Sequence, residues 1–357
     1  MKSLRVDGLL LVILLALMVV GLAVSYSASG GNVAVVKGQL VRIGIGLLLM
    51  VMVAQLPAHF FYRLAPLLFL FGLLLLVAVE FAGDVGKGAQ RWLDLGIMRF
   101  QPSELSKLIV PLMIARYLSE RPQPLPWIYL AGALLLIALP VALILRQPDL
   151  GTALLVMASG LAVIFFAGIS WRLMATGTGL ALAMIPVVWH FMHDYQRRRV
   201  LTLMDPSSDP LGAGYHIIQS TIAIGSGGVY GKGWMNGTQA HLDFLPESST
   251  DFIFAVFAEE FGLVGCAALL ILYLLLLLRG LQISVTAGDG FGRLMAGAIV
   301  AIFFFYVVVN IGMVAGVLPV VGVPLPLISY GGSSLVTLLL GFGVLMAIRN
   351  DQKMWTK

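Results

Sequence analysis

The stretch Glu247-Ser-Ser-Thr-Asp251 ends at Phe252, where a long apolar run begins. A carboxylate at the mouth of a helix has two uses. It caps the first amides, or it acts as a base on whatever the mouth faces. A helix N-terminus favours the ionised form, which suits a general base better than a general acid. Ser248 and Asp251 have the spacing of a capping box, so both readings stand. Glu259 lies two turns further on the same face, and Glu259 or Glu260 is expected to hydrogen-bond to a neighbouring span.

Three more polar groups interrupt apolar sequence. The first runs from Lys87-Gly-Ala-Gln-Arg91-Trp92 to Gln101-Pro-Ser-Glu104-Leu-Ser-Lys107. Glu104 and Lys107 are three apart and share a helix face. They form an ion pair that lets both enter a bilayer edge, or part of a site wall in which Arg91 and Lys107 face a phosphate. The second is Arg146-Gln-Pro-Asp149-Leu-Gly-Thr152. Asp149 is a helix N-cap, or it lies opposite Glu104 and holds Mg²⁺ or Mn²⁺ with it, since oxygen ligands suit these ions. The third is Gly322-Val-Pro-Leu-Pro-Leu-Ile-Ser-Tyr330-Gly-Gly-Ser-Ser334. Its prolines and glycines preclude a regular helix, so it lines a cavity or plugs one.

Two features mislead. Gly225-Ser-Gly-Gly-Val-Tyr-Gly231-Lys232-Gly233 looks like a phosphate-binding P-loop but lacks Gly at 226 and Ser or Thr at 233. The five histidines show no metal-ligand spacing, and His241 is the one placed near a candidate site.

The elements that must position these residues are membrane spans. Of 357 residues, 60% are hydrophobic and 11% charged, far from the roughly 25% charged residues of a soluble domain. The single cysteine, Cys266, excludes an internal disulfide and a Cys-type zinc site. The net charge of +5 suits an anionic membrane or lipid, and no basic block with interleaved aromatics points to nucleic acid. Runs of about 20 apolar residues predict ten transmembrane helices near 9–28, 38–56, 64–82, 104–119, 127–145, 150–168, 172–192, 252–279, 293–315 and 332–348. The expected fold is an all-α integral membrane protein, one domain over 1–357. Its long extracytoplasmic loop, 193–251, lies between helices 7 and 8 and holds a short helix near Tyr215–Ile224. The first span reads as an uncleaved anchor. Lys2, Arg5, Arg349, Lys353 and Lys357 put both termini in the cytoplasm by the positive-inside rule. Lys and Arg are nonetheless split almost evenly between the two sides, as if the outer cations hold an anion.

These motifs, with Phe244-Leu-Pro-Glu-Ser-Ser-Thr-Asp251-Phe and Glu259-Glu260-Phe-Gly, resemble the SEDS family of bacterial membrane proteins (shape, elongation, division and sporulation) over essentially the whole chain. The short tails resemble the elongation branch more than the division branch. The resemblance implies a multi-pass protein of the bacterial inner membrane with peptidoglycan glycosyltransferase activity at its periplasmic side. It implies lipid II as substrate, with a class B penicillin-binding protein transpeptidase and other elongation-complex membrane proteins as partners. It puts the catalytic aspartate on Asp251 and the polar central cavity on Glu104, Lys107 and Asp149.

An α-linked pyrophosphate donor and a β-1,4 product require inversion, with one base for the acceptor hydroxyl. Arg91, Lys107, Arg199 and a divalent cation are the candidate counter-charges for the leaving pyrophosphate. Lys232 and His241 are further candidate substrate contacts, and a greasy groove between spans is expected for the polyprenyl tails. The alternative is a lipid II flippase or transporter without polymerase activity.

Overall fold

The computed structural model describes residues 5–355 apart from 87–88, 95–98, 123, 193, 210–211, 243 and 246. Each of the ten apolar segments is helical. In chain order the helices are α1 (Gly8–Ala28), α2 (Val33–Ala54), α3 (Ala58–Ala82), α4 (Pro102–Leu118), α5 (Trp127–Arg146), α6 (Leu150–Phe166), α7 (Trp171–Ala183), α8 (Ile185–Phe191), α9 (Asp194–Met204), α10 (Ala213–Gly227), α11 (Thr238–His241), α12 (Ile253–Val285), α13 (Gly290–Val314) and α14 (Ser333–Trp355). Seven of them are long and apolar enough to cross a membrane, so this is a multi-pass membrane protein. The seventh expected span is broken into α7 and α8, bent by 43°. Pro186, just inside α8, has no N–H to continue the helical ladder.

The segment before α4, which the helical reading left without structure, forms a small antiparallel sheet. Its strands are β1 (Asp84–Gly86), β2 (Ala89–Asp94) and β3 (Arg99–Phe100), in that order. This hairpin carries Arg91 to the head of α4. Along the long loop the described residues form α9, a 3₁₀ turn over Pro206–Ser208, α10 and α11.

The centre of the bundle is α4, α6 and α13, which pack on one another, with α14 against α2 and α13. Leucine and phenylalanine cover the lipid-facing sides, whereas α7 and α8 bury no residue. At one end of the bundle Asp7 accepts from Leu10 N as the cap of α1. Its Oδ2 also meets Arg279 of α12 at 2.7 Å and Arg349 of α14 at 2.8 Å, tying three helices together.

α12 has 33 residues and a break at Gly262 (φ 62°, ψ −163°), a conformation that favours glycine. The P-loop-like segment closes this break. Lys232 N and Gly233 N donate to the carbonyls of Glu259 and Glu260, at 3.0 and 2.9 Å. In return Leu263 N and Val264 N donate to the carbonyls of Gly228 and Val229, at 3.0 and 3.1 Å. The glycines of 225–233 thus serve close backbone approach, with Gly231 and Gly233 at positive φ.

Candidate active site

A cavity of about 470 Å³ opens where seven parts of the chain meet. β2 contributes Arg91 and Trp92, and the head of α4 contributes Gln101 and Glu104. The head of α6 brings Asp149 and Thr152, while α9 and α10 bring Arg199 and His216. The turn before α12 supplies Glu247, Thr250, Asp251 and Phe252. The non-helical segment before α14 closes it with Val320–Gly322, Pro324 and Tyr330–Ser334.

The α4 pair is the ion pair the sequence suggested, and Glu104 alone of the two reaches the site wall. Lys107 Nζ lies 2.6 Å from Glu104 Oε1 and 2.5 Å from the Tyr306 hydroxyl of α13, which in turn donates to Glu104 Oε2 at 3.2 Å. Glu104 lines the cavity. Lys107 does not: it is 2% exposed and its charge is spent on Glu104. The expectation that Lys107 faces a phosphate is therefore corrected, because the short reach from position 107 to 104 favours the pair.

Asp149 caps α6 through Thr152 N at 3.1 Å and accepts from Gln101 Nε2 at 2.9 Å. Arg91 bridges to the same turn. It donates to the carbonyls of Gln147 and Pro148, at 3.2 and 2.5 Å, and stands 3.9 Å from Asp149. Every oxygen of Glu104 and Asp149 thus has a protein partner. Among the described residues no group of three or more His, Cys, Asp or Glu side chains is arranged for a metal. The two carboxylates do not fit a resident bridging ion.

Asp251 lines the cavity, but the capping box is not formed. Phe252 is the N-cap of α12, without a side-chain bond. Ser248 Oγ instead donates to the carbonyl of Ala28 at 3.1 Å, fastening the loop to α1. Gly322 comes close to the Asp251 carboxylate. A Cβ built on Gly322 (φ 71°) would lie 3.4 Å from Asp251 Oδ2.

Lys232 is not brought to the cavity. Its Nζ meets Glu259 at 2.6 Å, and that carboxylate, fully buried, also accepts from Thr238 and Gln239. Glu260 accepts from Ser27 Oγ on α1, as a neighbouring-span bond was expected. Lys87 and the side chain of His241 lie outside the described residues.

Sequence reasoning missed His216. Its ring stacks on Phe252, with centroids 5.4 Å apart and planes at 23°. Burial lowers its pKa from the ordinary 6.5, against the opposing pull of Glu247 and Asp209. It also missed Asn310, buried in α13, whose Nδ2 donates to the carbonyls of Asp251 and Val323. Asn310 had a signal, as an amide inside an apolar run. His216 had none, since Tyr215–Ile224 is part of an ordinary amphipathic segment.

Below the cavity, α6 and α13 enclose an apolar groove of about 300 Å³, lined by residues such as Leu154, Met157, Leu161, Phe305, Val309 and Leu318. Val321 borders both spaces. Gly151 permits this junction, because a Cβ there would be 2.7 Å from Val321 O.

The chain is similar to proteins that share this architecture. It is 56% identical over 355 residues to the peptidoglycan glycosyltransferase MrdB of Escherichia coli K12, covering 99% of this chain and 96% of that one. It is 34% identical to the peptidoglycan glycosyltransferase RodA of Treponema pallidum, with 97% and 98% covered. Among solved structures, a chain from a peptidoglycan synthase complex that coordinates polymerization and crosslinking superposes with a TM-score of 0.85 at 39% identity, covering 97% and 98%. The rod shape determining protein RodA of Thermus thermophilus gives 0.75 at 34% identity, with 99% of each covered. The pattern of the FtsW/RodA/SpoVE family, described as cell cycle proteins, matches residues 5–354. By this match and these relatives, the chain belongs to the FtsW/RodA/SpoVE family.

Proposed function

We propose that this protein is a peptidoglycan glycosyltransferase that polymerises lipid II, with Asp251 as general base. The observation that carries the reading is the cavity itself. It gathers one carboxylate at the head of α12, two guanidiniums (Arg91 and Arg199) and the start of α14 around space for a sugar pyrophosphate, beside an apolar groove for a polyprenyl tail. The relatives' names point the same way.

The step is a single inverting displacement. The acceptor O4 attacks the donor anomeric carbon, the C1–O bond to pyrophosphate breaks, and the O4 proton passes to Asp251. Negative charge grows on the leaving pyrophosphate, for which Arg91, Arg199 and the N-terminal amides of α14 in the cavity wall are the counter-charges. Glu104, held by Lys107 and Tyr306, shapes the opposite wall. Four carboxylates and two guanidiniums line the cavity among the described residues. A pyrophosphate entering with Mg²⁺ or Mn²⁺ matches that balance better than a bare one. Polymerisation is accordingly expected to fall in excess EDTA and to return with added metal. Full activity in the chelator removes the cation from the proposal.

The topology we read has ten crossings: the seven long helices, the bent α7–α8 pair, and α4 and α6 with 17 residues each. Seventeen residues rise about 25 Å, which suits helices whose polar heads form a cavity floor rather than reach the surface. Both termini are cytoplasmic and the cavity periplasmic, in the bacterial inner membrane. The partner is a class B penicillin-binding protein transpeptidase within an elongation complex.

Purified protein given lipid II in detergent, with and without the transpeptidase, is expected to make glycan strands. Asp251→Asn keeps size and backbone contacts and removes basicity, so polymerisation should fall about 10²–10⁴-fold. A rate within about threefold of the parent, far short of that loss, overturns the base assignment. A transporter would move lipid II and make no polymer.

A further inference from the structure

Three consecutive carbonyls run up to and include Asp251, and each is held by a different donor from outside the loop. Ser249 O accepts from Tyr330 N at 2.9 Å, and Thr250 O accepts from Ser329 Oγ at 2.6 Å. Asp251 O accepts from Asn310 Nδ2 at 2.8 Å. These carbonyls precede the regular ladder of α12, where Ala255 N already bonds Phe252 O.

Two of the three donors are side chains that reach both ways. Asn310 Nδ2 also donates to Val323 O at 2.7 Å, and Ser329 Oγ also accepts from Leu325 N at 2.7 Å. Each joins the turn bearing Asp251 to the non-helical segment that forms the facing wall. Neither residue lines the cavity. Asn310 is fully buried, and its Oδ1 has no hydrogen-bond partner among the described residues. An apolar residue would avoid that buried unpaired acceptor, so packing alone gives no reason for an amide here. With both Asn310 bonds made by Nδ2, the amide's use is as a donor to these two carbonyls.

We propose that Asn310 and Ser329 are positioning residues for glycosyl transfer. They fix the main chain of Thr250 and Asp251 against the 322–330 segment, so that the Asp251 carboxylate meets the acceptor hydroxyl at one reach. The proposal rests on the reading of Asp251 as the base. Misplacing a reacting group by about 1 Å costs on the order of 100-fold in rate, which backbone freedom at the two untethered carbonyls, those of Thr250 and Asp251, would allow.

The test uses the full chain in detergent with lipid II and rates per folded molecule, the folded fraction being taken from thermal unfolding. Asn310→Leu removes the donor at similar size, and Ser329→Ala removes one oxygen from a site that should still fold. Each is expected to lower kcat about 10–100-fold with KM for lipid II within about twofold, the pattern of an interaction used only in the transition state. Ser329→Thr, which keeps the hydroxyl, should restore most of the rate. In an Asp251→Asn background Asn310→Leu should cause no further loss, because a positioning residue has nothing left to position.

The proposal is overturned if both single variants keep kcat within about threefold of the parent, or if the loss appears in KM. It is also overturned if Asn310→Leu lowers the residual rate of Asp251→Asn by the factor seen in the parent. Silent Asn310 and Ser329 variants beside an inactive Asp251→Asn defeat the positioning alone. An active Asp251→Asn defeats the base reading, and the positioning with it.

Discussion

Asp149 shows how a charged residue in an apolar chain performs two tasks at once. It caps α6 and presents its carboxylate to the cavity. Such residues are legible in sequence because ionised groups at membrane depth are costly and rare. Arg91, Glu104, Asp149 and Asp251 were found in this way, and all four line one cavity, as does Arg199, which was named only as a counter-charge in the long loop. The same rule misreads a charge that is consumed by a partner, as Lys107 and Lys232 are. It is silent on neutral groups such as His216. That residue gives a pH prediction. Burial holds its pKa below 6.5, so the unfolded chain takes up the proton first as pH falls. Its contribution to stability is then full above about 6.5 and is lost as pH falls from there toward the lower folded value. Melting temperatures measured between about pH 5 and 7.5 should slope upward with pH less steeply in His216→Gln than in the parent. Equal slopes would show that the imidazole carries no such linkage.

At the scale of elements, the apolar helices were legible because about 20 apolar residues leave no other fold in lipid, although α3 starts six residues earlier, and α12 and α14 end six and seven residues later, than the apolar pattern indicates. The short sheet before α4 was not, since strands of two to six residues lack a periodic pattern long enough to read. Nor was the break in α12, because Gly262 is one of forty glycines and nothing local marks its φ. The contact of α4 with α13 carries a prediction. Lys107 and Glu104 are almost wholly buried with Tyr306. Lys107→Met leaves an uncompensated carboxylate and should destabilise by about 3–5 kcal/mol, read as a lower melting temperature in detergent. Adding Glu104→Gln removes the stranded charge and should recover most of that loss. A double variant no more stable than Lys107→Met would mean that the pair holds the helices by shape rather than charge.

For the whole molecule, the sequence motifs identify the family, yet the order in which helices pair is not in the apolar pattern. Lipid tails are as apolar as leucine, so close contacts depend on small residues and polar ties scattered along the chain. The Asp7 cluster with Arg279 and Arg349 is one such tie, linking positions hundreds of residues apart. The reciprocal backbone bonds between residues 228–233 and the break in α12 are another, and they bear on timing. Four amides, those of Lys232, Gly233, Leu263 and Val264, are protected by each other's segment rather than by their own helix. None can meet water unless the loop lifts from the helix, and that motion frees all four together. In deuterium their exchange should share one rate and one dependence on denaturant, as a single cooperative unit does. Neighbouring amides within α12 below Gly262 should exchange on their own, slower schedule. If the loop pair exchanges early while Leu263 and Val264 stay protected, the two segments open separately, and the long loop moves without disturbing the helix that begins after the turn bearing Asp251.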